Sequence, residues 1–235
     1  MRGLRTWIEI DGAALNNNVK EFLKLIPKRT YFMAVIKSNA YGHGLSLVAQ
    51  QLTKLQIIPA PEQGSVRGAV NYPSTGARLG AGRSELQKRL WFGVDSVVEA
   101  LRLRREGIKN PILVLGLTLS SRLKEAYDHD ITLTVSNFDA LISLIRANKR
   151  IKFHLKVDTG MHRQGFLESD ITRLIKLLKL NKLSPQGIYT HFASAKDAAY
   201  PTYTLEQIKK FHNIIVKFKK AGFKNFISHS AASGG

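Results

Sequence analysis

The chain contains no cysteine. That removes disulfides, thiolate nucleophiles and cysteine-ligated metals, and with them the small secreted scaffolds that depend on cross-links. It also lacks a long apolar run, since no stretch approaches the ~20 residues of a membrane span. Residues 1–10 carry no extended apolar segment of the kind that targets secretion. A cytoplasmic location with no membrane partner is therefore expected. Acidic residues are scarce, with 17 Asp and Glu against 36 Lys and Arg, a formal charge of +19. Such an excess favours anionic ligands or nucleic acid. Drifting base composition that enriches lysine, isoleucine and asparagine gives the same charge. The lysines are also scattered: Lys176, Lys179, Lys182, Lys209, Lys217 and Lys220 fall on the polar side of helical patterns, not between exposed aromatics. A basic nucleic-acid-binding protein thus rests on charge alone, and no specific nucleic-acid partner is expected.

What is present is a core. The 235 residues are 44% hydrophobic, enough for one large α/β domain or two small ones. Short apolar runs alternate with amphipathic helical patterns. The candidate strands are Tyr31–Ile36, Trp91–Val94, Pro111–Leu115, Ile131–Val135, Ile151–Val157, Gly187–His191 and Asn225–His229. Candidate helices lie between them: Gly44–Leu55, Val97–Arg105, Arg122–Asp128, Asn137–Ala147, Glu168–Leu180 and Thr204–Ala221. Asp139 and Ser169 read as helix starts, Gly107 and Gly222 as stops. Repeated strand–helix alternation implies parallel strands with right-handed crossovers. An open doubly wound sheet and a (β/α) barrel both fit. The first strand is not followed by G-x-G-x-x-G, so the usual dinucleotide argument is missing. A closed barrel needs eight strands, and Thr6–Ile10, which alternates, is a further candidate.

Two places break the rhythm. Residues 56–90 hold Pro59, Pro61, Gly64, Gly68, Pro73, Gly76, Gly80 and Gly82 and show no convincing period. Long structureless loops are uncommon inside compact domains, so this segment reads as an insertion, mostly unstructured, with a weak helical pattern near Ser84–Leu90. The chain then finishes on Ser230-Ala231-Ala232-Ser233-Gly234-Gly235. Small residues after a strand suit a loop that approaches a phosphate through hydroxyl and N–H groups.

Several side chains carry possible chemistry. Lys37 ends the run Tyr31–Ile36 and precedes a small, polar loop. A lysine at a strand's C-terminal mouth suits Schiff-base chemistry, because desolvation frees its lone pair; equally, it reads as a surface lysine after an edge strand. Arg163 follows the strand Ile151–Val157 and suits a carboxylate or phosphate clamp, or a plain loop ion pair. Lys156 and Val157 alternate, so one of them faces the barrel interior, and a lysine there needs a partner or a modification. His191 ends Gly187–His191, where it either orients a catalytic group or is a hydrogen-bonded structural residue. His43, His162 and His229 lack the spacing of a metal site, and no metal is expected.

Taken together, these runs resemble a known family. Ala34–Gly44, A-V-I-K-S-N-A-Y-G-H-G, is similar to the pyridoxal-phosphate signature of alanine racemases. Leu155–Gly165, Tyr189–Ala193 and Ser230–Gly235 resemble further blocks of that family, Trp7–Asn18 its N-terminus and Trp91–Gly107 its second βα unit. The resemblance implies an (β/α)8 TIM-type barrel that binds pyridoxal 5'-phosphate and interconverts L- and D-alanine for peptidoglycan precursors. It implies Lys37 as the lysine carrying the cofactor and one of two bases, and Tyr41 and Ser233 as phosphate contacts. It implies Arg163 at the cofactor's phenolic oxygen and the substrate carboxylate. Lys156 falls where many members carry a carbamylated lysine, and His191 would support the arginine facing the pyridine nitrogen.

Members of this family continue past the last block with an eighth strand and a C-terminal β domain that supplies the second base to a partner subunit. An incomplete barrel, inactive or unstable on its own, is accordingly expected. The resemblance implies a homodimer for complete members, and a separately made C-terminal fragment would rescue this chain. Two alternatives remain: a non-catalytic pyridoxal-phosphate-binding barrel or gene remnant, and racemisation of serine or another small amino acid.

Overall fold

The computed structural model describes residues 7–27, 30–55, 85–195 and 201–231. It begins with helix α1 (Gly12–Leu25), where Asp11 Oδ1 accepts from Ala13 N and Ala14 N at 2.7 and 3.1 Å, a side-chain N-cap. The expected strand at Thr6–Ile10 is not formed: Trp7–Ile10 have no regular structure, and the chain enters α1 directly. The alternation there reflects exposure, with Trp7 and Ile8 both mostly in solvent. Thr6 lies outside the described residues.

Strand β1 (Phe32–Val35) leads into a short helical turn, α2 (Lys37–Tyr41), and helix α3 (Leu45–Lys54). Helix α4 (Glu85–Arg89) runs into β2 (Leu90–Val94), followed by α5 (Val97–Arg105), β3 (Ile112–Val114), α6 (Leu123–Asp128), β4 (Thr132–Val135) and α7 (Phe138–Arg146). Then come β5 (Phe153–Lys156), α8 (Ile171–Leu180), β6 (Gly187–His191), α9 (Thr202–Lys220) and β7 (Ile227–Ala231). The seven strands form one sheet in chain order, every neighbouring pair parallel. That order belongs to a (β/α) barrel and not to a doubly wound sheet, whose order reverses part-way. β1 and β7 lie at opposite ends of the order, so the barrel is incomplete over the described residues. None of the described helices is long and apolar enough to cross a membrane.

The strand patterns lack clean alternation because both faces are covered. Leu90, Phe92, Val94, Ile112, Val114, Leu133, Val135, Phe153, Leu155 and Ile188 face the helices, packing with Ala100, Leu103, Leu141, Leu144, Leu174 and Phe218. The intervening residues turn inward: Gly93 lies against Met33, Val35 and Leu115, and Thr134 Oγ1 meets the Tyr189 hydroxyl at 3.0 Å. Arg104 ties neighbouring βα units together. Its guanidinium donates to the carbonyls of Ile108, Asn110, His129 and Asp130 at 2.8–3.0 Å.

Helix boundaries correct the sequence reading in detail. The cap of α7 is Asn137, whose Oδ1 accepts Ala140 N at 2.8 Å; Asp139 sits in the first turn. Ser169 lies inside a 3-10 turn (Glu168–Asp170) that precedes α8. Gly107 and Gly222 do end α5 and α9, at φ 84° and 97°, the left-handed C' geometry open to glycine. Strand β7 lies two residues later than expected, because its register with β6 pairs Gly187 with Ile227. Within the segment 56–90, Leu86 and Leu90 are buried in the core, and Arg89 Nη1 donates to Thr30 O at 2.9 Å. Residues 56–84 lie outside the described residues.

Candidate active site

The C-terminal ends of the parallel strands gather the singled-out side chains at one mouth. Lys37 follows β1, Lys156 ends β5, Arg163 lies in the loop after β5, and His191 ends β6. In barrels of this architecture the chemistry occupies that face. A cleft of about 570 Å³ at the other end, lined by Trp91, Lys152, Gln186 and Phe226 among others, contains none of these residues.

Lys37 is half-buried and opens an unusual turn. Ser38, Asn39, Ala40 and Tyr41 have φ of 53°, 55°, 54° and 54°, four successive left-handed residues without a glycine. Each costs about 1–2 kcal/mol over right-handed backbone, so the surroundings must enforce the shape. Asn39 organises it. Its carbonyl accepts Gly42 N at 3.2 Å and Gly44 N at 2.9 Å, and its Oδ1 accepts Leu45 N at 2.9 Å, starting α3. Tyr41, at the end of the turn, is exposed.

The loop after β5 is a closed ring. Asp158 N donates to Phe166 O and Phe166 N to Lys156 O, both at 2.9 Å, across its neck. Asp158 fills the ring: Oδ1 accepts Gly160 N at 2.8 Å and His162 N at 3.1 Å, and Oδ2 accepts Arg163 N at 3.2 Å. Burial pushes the Asp158 carboxyl up, but the three N–H donors outweigh it and leave the group below the usual carboxylate range. The Arg163 backbone is thus anchored while its side chain stays exposed. Helix α9 braces the ring from outside, with the Tyr203 hydroxyl donating to Gly160 O at 2.6 Å. Buried Gln207 spans two loops, accepting Ala193 N at 3.0 Å and donating to Thr159 Oγ1 at 3.4 Å.

Lys156, and not Val157, faces the interior. Its Nζ donates to Gln164 Oε1 at 3.2 Å and lies 5.8 Å from the Tyr189 ring centre. Burial lowers its amine, the Arg163 charge lowers it further, Asp158 opposes, and Lys37 adds a smaller push, leaving it at about 8. The same surroundings hold the Tyr189 phenol up at about 12, mainly through burial. Lys156 therefore feels Arg163, and less strongly Lys37, as like charges, and Asp158, the anion beside it, is already engaged by backbone. An anionic ligand with a carbonyl carbon for an amine suits this donor set.

A family model described as alanine racemase, N-terminal domain, matches residues 10–57 and 79–235. The chain belongs to the alanine racemase family. An alanine racemase of Desulforamulus reducens is 36% identical over 234 residues, covering 97% of this chain and 54% of the relative. Alanine racemase 1 of Caldanaerobacter subterraneus subsp. tengcongensis is 34% identical over 232 residues, covering 96% and 51%. Among solved structures, alanine racemase of Clostridium difficile 630 superposes with a TM-score of 0.79 at 27% identity, over 100% of this chain and 57% of that one. The chain spans about half the length of the curated relatives it matches. The incomplete TIM-type barrel is thus the alanine racemase N-terminal fold.

The structure brings Lys37, Lys156, Arg163 and His191 to one face; Ser233 lies outside the described residues. Sequence reasoning overlooked Glu99, Gln207 and the ring-filling role of Asp158, and saw Asn39 only as one residue of a loop opening a helix. The spacing S-x-x-E at Ser96–Glu99 is a capping-box signal that marks Glu99. The bonds of Gln207 cross between elements distant in sequence and leave no local signature.

Proposed function

We propose that this chain is the cofactor-binding half of an alanine racemase, holding pyridoxal 5'-phosphate on Lys37 and moving a proton at Cα of alanine. The observation that supports the reading is that Lys37, Lys156 and Arg163 all end or follow strands at the C-terminal mouth of the barrel. When bound, the cofactor supplies a carbonyl for amine capture and an electron sink for the carbon that loses its proton. The three cations fit its phosphate and phenolic oxygen.

Placement supports the division of labour that the family resemblance implies. Lys37, half-buried on a rigid turn, takes and returns the Cα proton as a general base and acid. Arg163, its backbone fixed by Asp158, offers a planar two-pronged donor to the phenolic oxygen and the alanine carboxylate. Tyr41, exposed at the turn's end, and Ser233 would be the contacts for the phosphate. His191 supports the site from β6. The Lys156 amine at about 8 is partly neutral at ordinary pH, the form that takes up carbon dioxide; a carbamate there would offset the Arg163 charge. A second proton-transferring group is sought outside these 235 residues, on the same or a separate polypeptide, as a homodimeric racemase would use it. The cellular role is D-alanine supply for peptidoglycan in the cytoplasm.

The test is the absorption spectrum of the purified chain with pyridoxal phosphate, followed by borohydride reduction, peptide mapping and proton exchange at Cα of L- and D-alanine in D2O. Cofactor on the Lys37 peptide with exchange of one or both enantiomers supports the reading. Label on Lys37 without exchange would leave a non-catalytic pyridoxal-phosphate-binding barrel, and label scattered over surface lysines would overturn both.

A further inference from the structure

Glu99 belongs to α5, in the second βα unit, yet it bonds to the loop that carries Lys37. Its Oε1 accepts Asn39 N at 3.0 Å and its Oε2 accepts Asp95 N at 2.8 Å. The helix start explains how the side chain is aimed. Ser96 caps α5, its Oγ accepting Glu99 N at 3.3 Å. In an ordinary capping box the acidic residue folds back to the cap's own N–H. Here one oxygen reaches the residue before the cap, and the other is left to cross to the neighbouring loop. β1 and β2 are adjacent and parallel, and Ile36 N donates to Gly93 O at 2.8 Å just below, so the two loops leave the sheet side by side.

The amide that Glu99 holds lies in the middle of the left-handed run Ser38–Tyr41. The other hydrogen bonds of Asn39, through its carbonyl and Oδ1, run within its own loop to Gly42, Gly44 and Leu45. The Glu99 bond ties that loop to a different unit of the barrel. A carboxylate suits the place because two N–H donors converge on it. A glutamine has one acceptor, and its NH2 would face an N–H.

We propose that Glu99 is a positioning residue for Lys37: by pinning the Asn39 amide it holds the left-handed turn that keeps the Lys37 amine at the mouth shared with Lys156 and Arg163. The inference rests on the reading of Lys37 as the cofactor lysine, and its first test is independent of the cofactor.

The experiment compares the full chain with E99Q, E99D and N137A. The last removes the α7 cap in the fourth βα unit, whose side chain accepts Ala140 N and not a group of the Lys37 loop, and matches a general loss of stability. Amide hydrogen exchange at Asn39 is followed by NMR without cofactor. Borohydride-trapped pyridoxal phosphate is then mapped for the share on Lys37. In E99Q, exchange at Asn39 rises at least about tenfold over N137A, the scale of a lost hydrogen bond to a charged group, and the Lys37 share of label falls several-fold. E99D, with two acceptors on a shorter arm, gives a smaller effect in the same direction, and decides the matter if E99Q fails to fold. Exchange at Asn39 no faster than in N137A, or an unchanged Lys37 share, overturns the proposal. A wild-type chain that places no label on Lys37 refutes the cofactor reading instead, and the exchange comparison still decides whether Glu99 holds the turn.

Discussion

His154 Nδ1 and His229 Nε2 meet at 3.0 Å inside the sheet, reaching across Gly187 of the strand between them. A Cβ at Gly187 would overlap the His154 ring, so the glycine makes the pair possible. Tyr189 stacks on His229 at 4.8 Å, and Trp91 lies 5.5 Å from His154. His154 Nε2 is buried without a hydrogen-bond partner among the described residues.

Both imidazoles are held neutral. Burial, and then the neighbouring His229, lower His154 to about 3; burial lowers His229 to about 4. In the unfolded chain each titrates near 6.5. Folded values below unfolded ones mean that unfolding takes up protons as pH falls. Stability is therefore intact above pH 6.5 and declines from there toward pH 4, by up to about 1.4 kcal/mol per pH unit for each histidine. Urea unfolding at pH 7.5, 6.5, 5.5 and 4.5 measures it. A flat profile over that range would show that the pair is not buried neutral.

Residues 58–78 are the part of the chain's interior that the family model leaves unmatched. We propose them as the insertion, narrower than 56–90. Deleting 58–78 should leave the thermal midpoint of the remaining chain within a few degrees. Deleting 56–90 should abolish cooperative unfolding, because it takes away Leu86 and Leu90, both fully buried, and the start of β2. Leu86→Ala alone should cost about 2–5 kcal/mol. Equal behaviour of the two deletions by circular dichroism would refute these bounds.

Strands were legible here because burial on both faces leaves short apolar runs between amphipathic helices. α5 falls on its expected bounds since Ser96 and Gly107 punctuate it. Leu86 and Leu90 were legible only as part of a weak helical pattern, which became α4, and not as core, because they adjoin a Gly- and Pro-rich stretch that hides their period. The left-handed turn after Lys37 was not legible at all: Ser38, Asn39, Ala40 and Tyr41 have no local preference for positive φ beyond asparagine's, and partners distant in sequence impose it. The side chains at the strand mouth were visible in order, whereas their bracing by Glu99, Gln207 and Asp158 emerges from tertiary contacts.

Gly165 tests the ring that anchors Arg163. Its φ is 137°, and a Cβ there would lie 2.7 Å from Asp158 N and Val157 C. Backbone on both sides cannot yield cheaply, so Gly165→Ala must open the neck between Lys156 and Phe166. The expected loss is about 2–4 kcal/mol, from strain and the lost hydrogen bonds. Affinity for pyridoxal phosphate should weaken in parallel as Arg163 loses its anchor. Gly107→Ala, at φ 84° with open space around it, should cost about 1 kcal/mol and leave cofactor affinity alone. Equal affinity losses in both variants would show that the ring has no special bearing on the site.

Lys156 offers the sharpest spectroscopic test. Burial and the Arg163 charge bring its amine to about 8, so the neutral share rises from roughly a tenth at pH 7 to roughly nine-tenths at pH 9. Only the neutral amine attacks carbon dioxide, and the carbamate it forms is anionic, which Arg163 then stabilises. In 13C-bicarbonate the chain should show one carbamate resonance that grows between pH 7 and 8.5 and disappears in Lys156→Met. Without the modification the interior holds an extra cation beside Arg163. Removing bicarbonate should therefore tighten binding of a substrate carboxylate analogue, reversibly, in the wild type and not in Lys156→Met. A carbamate signal that survives the substitution would place the modification on another lysine and leave Lys156 a buried amine held by Gln164.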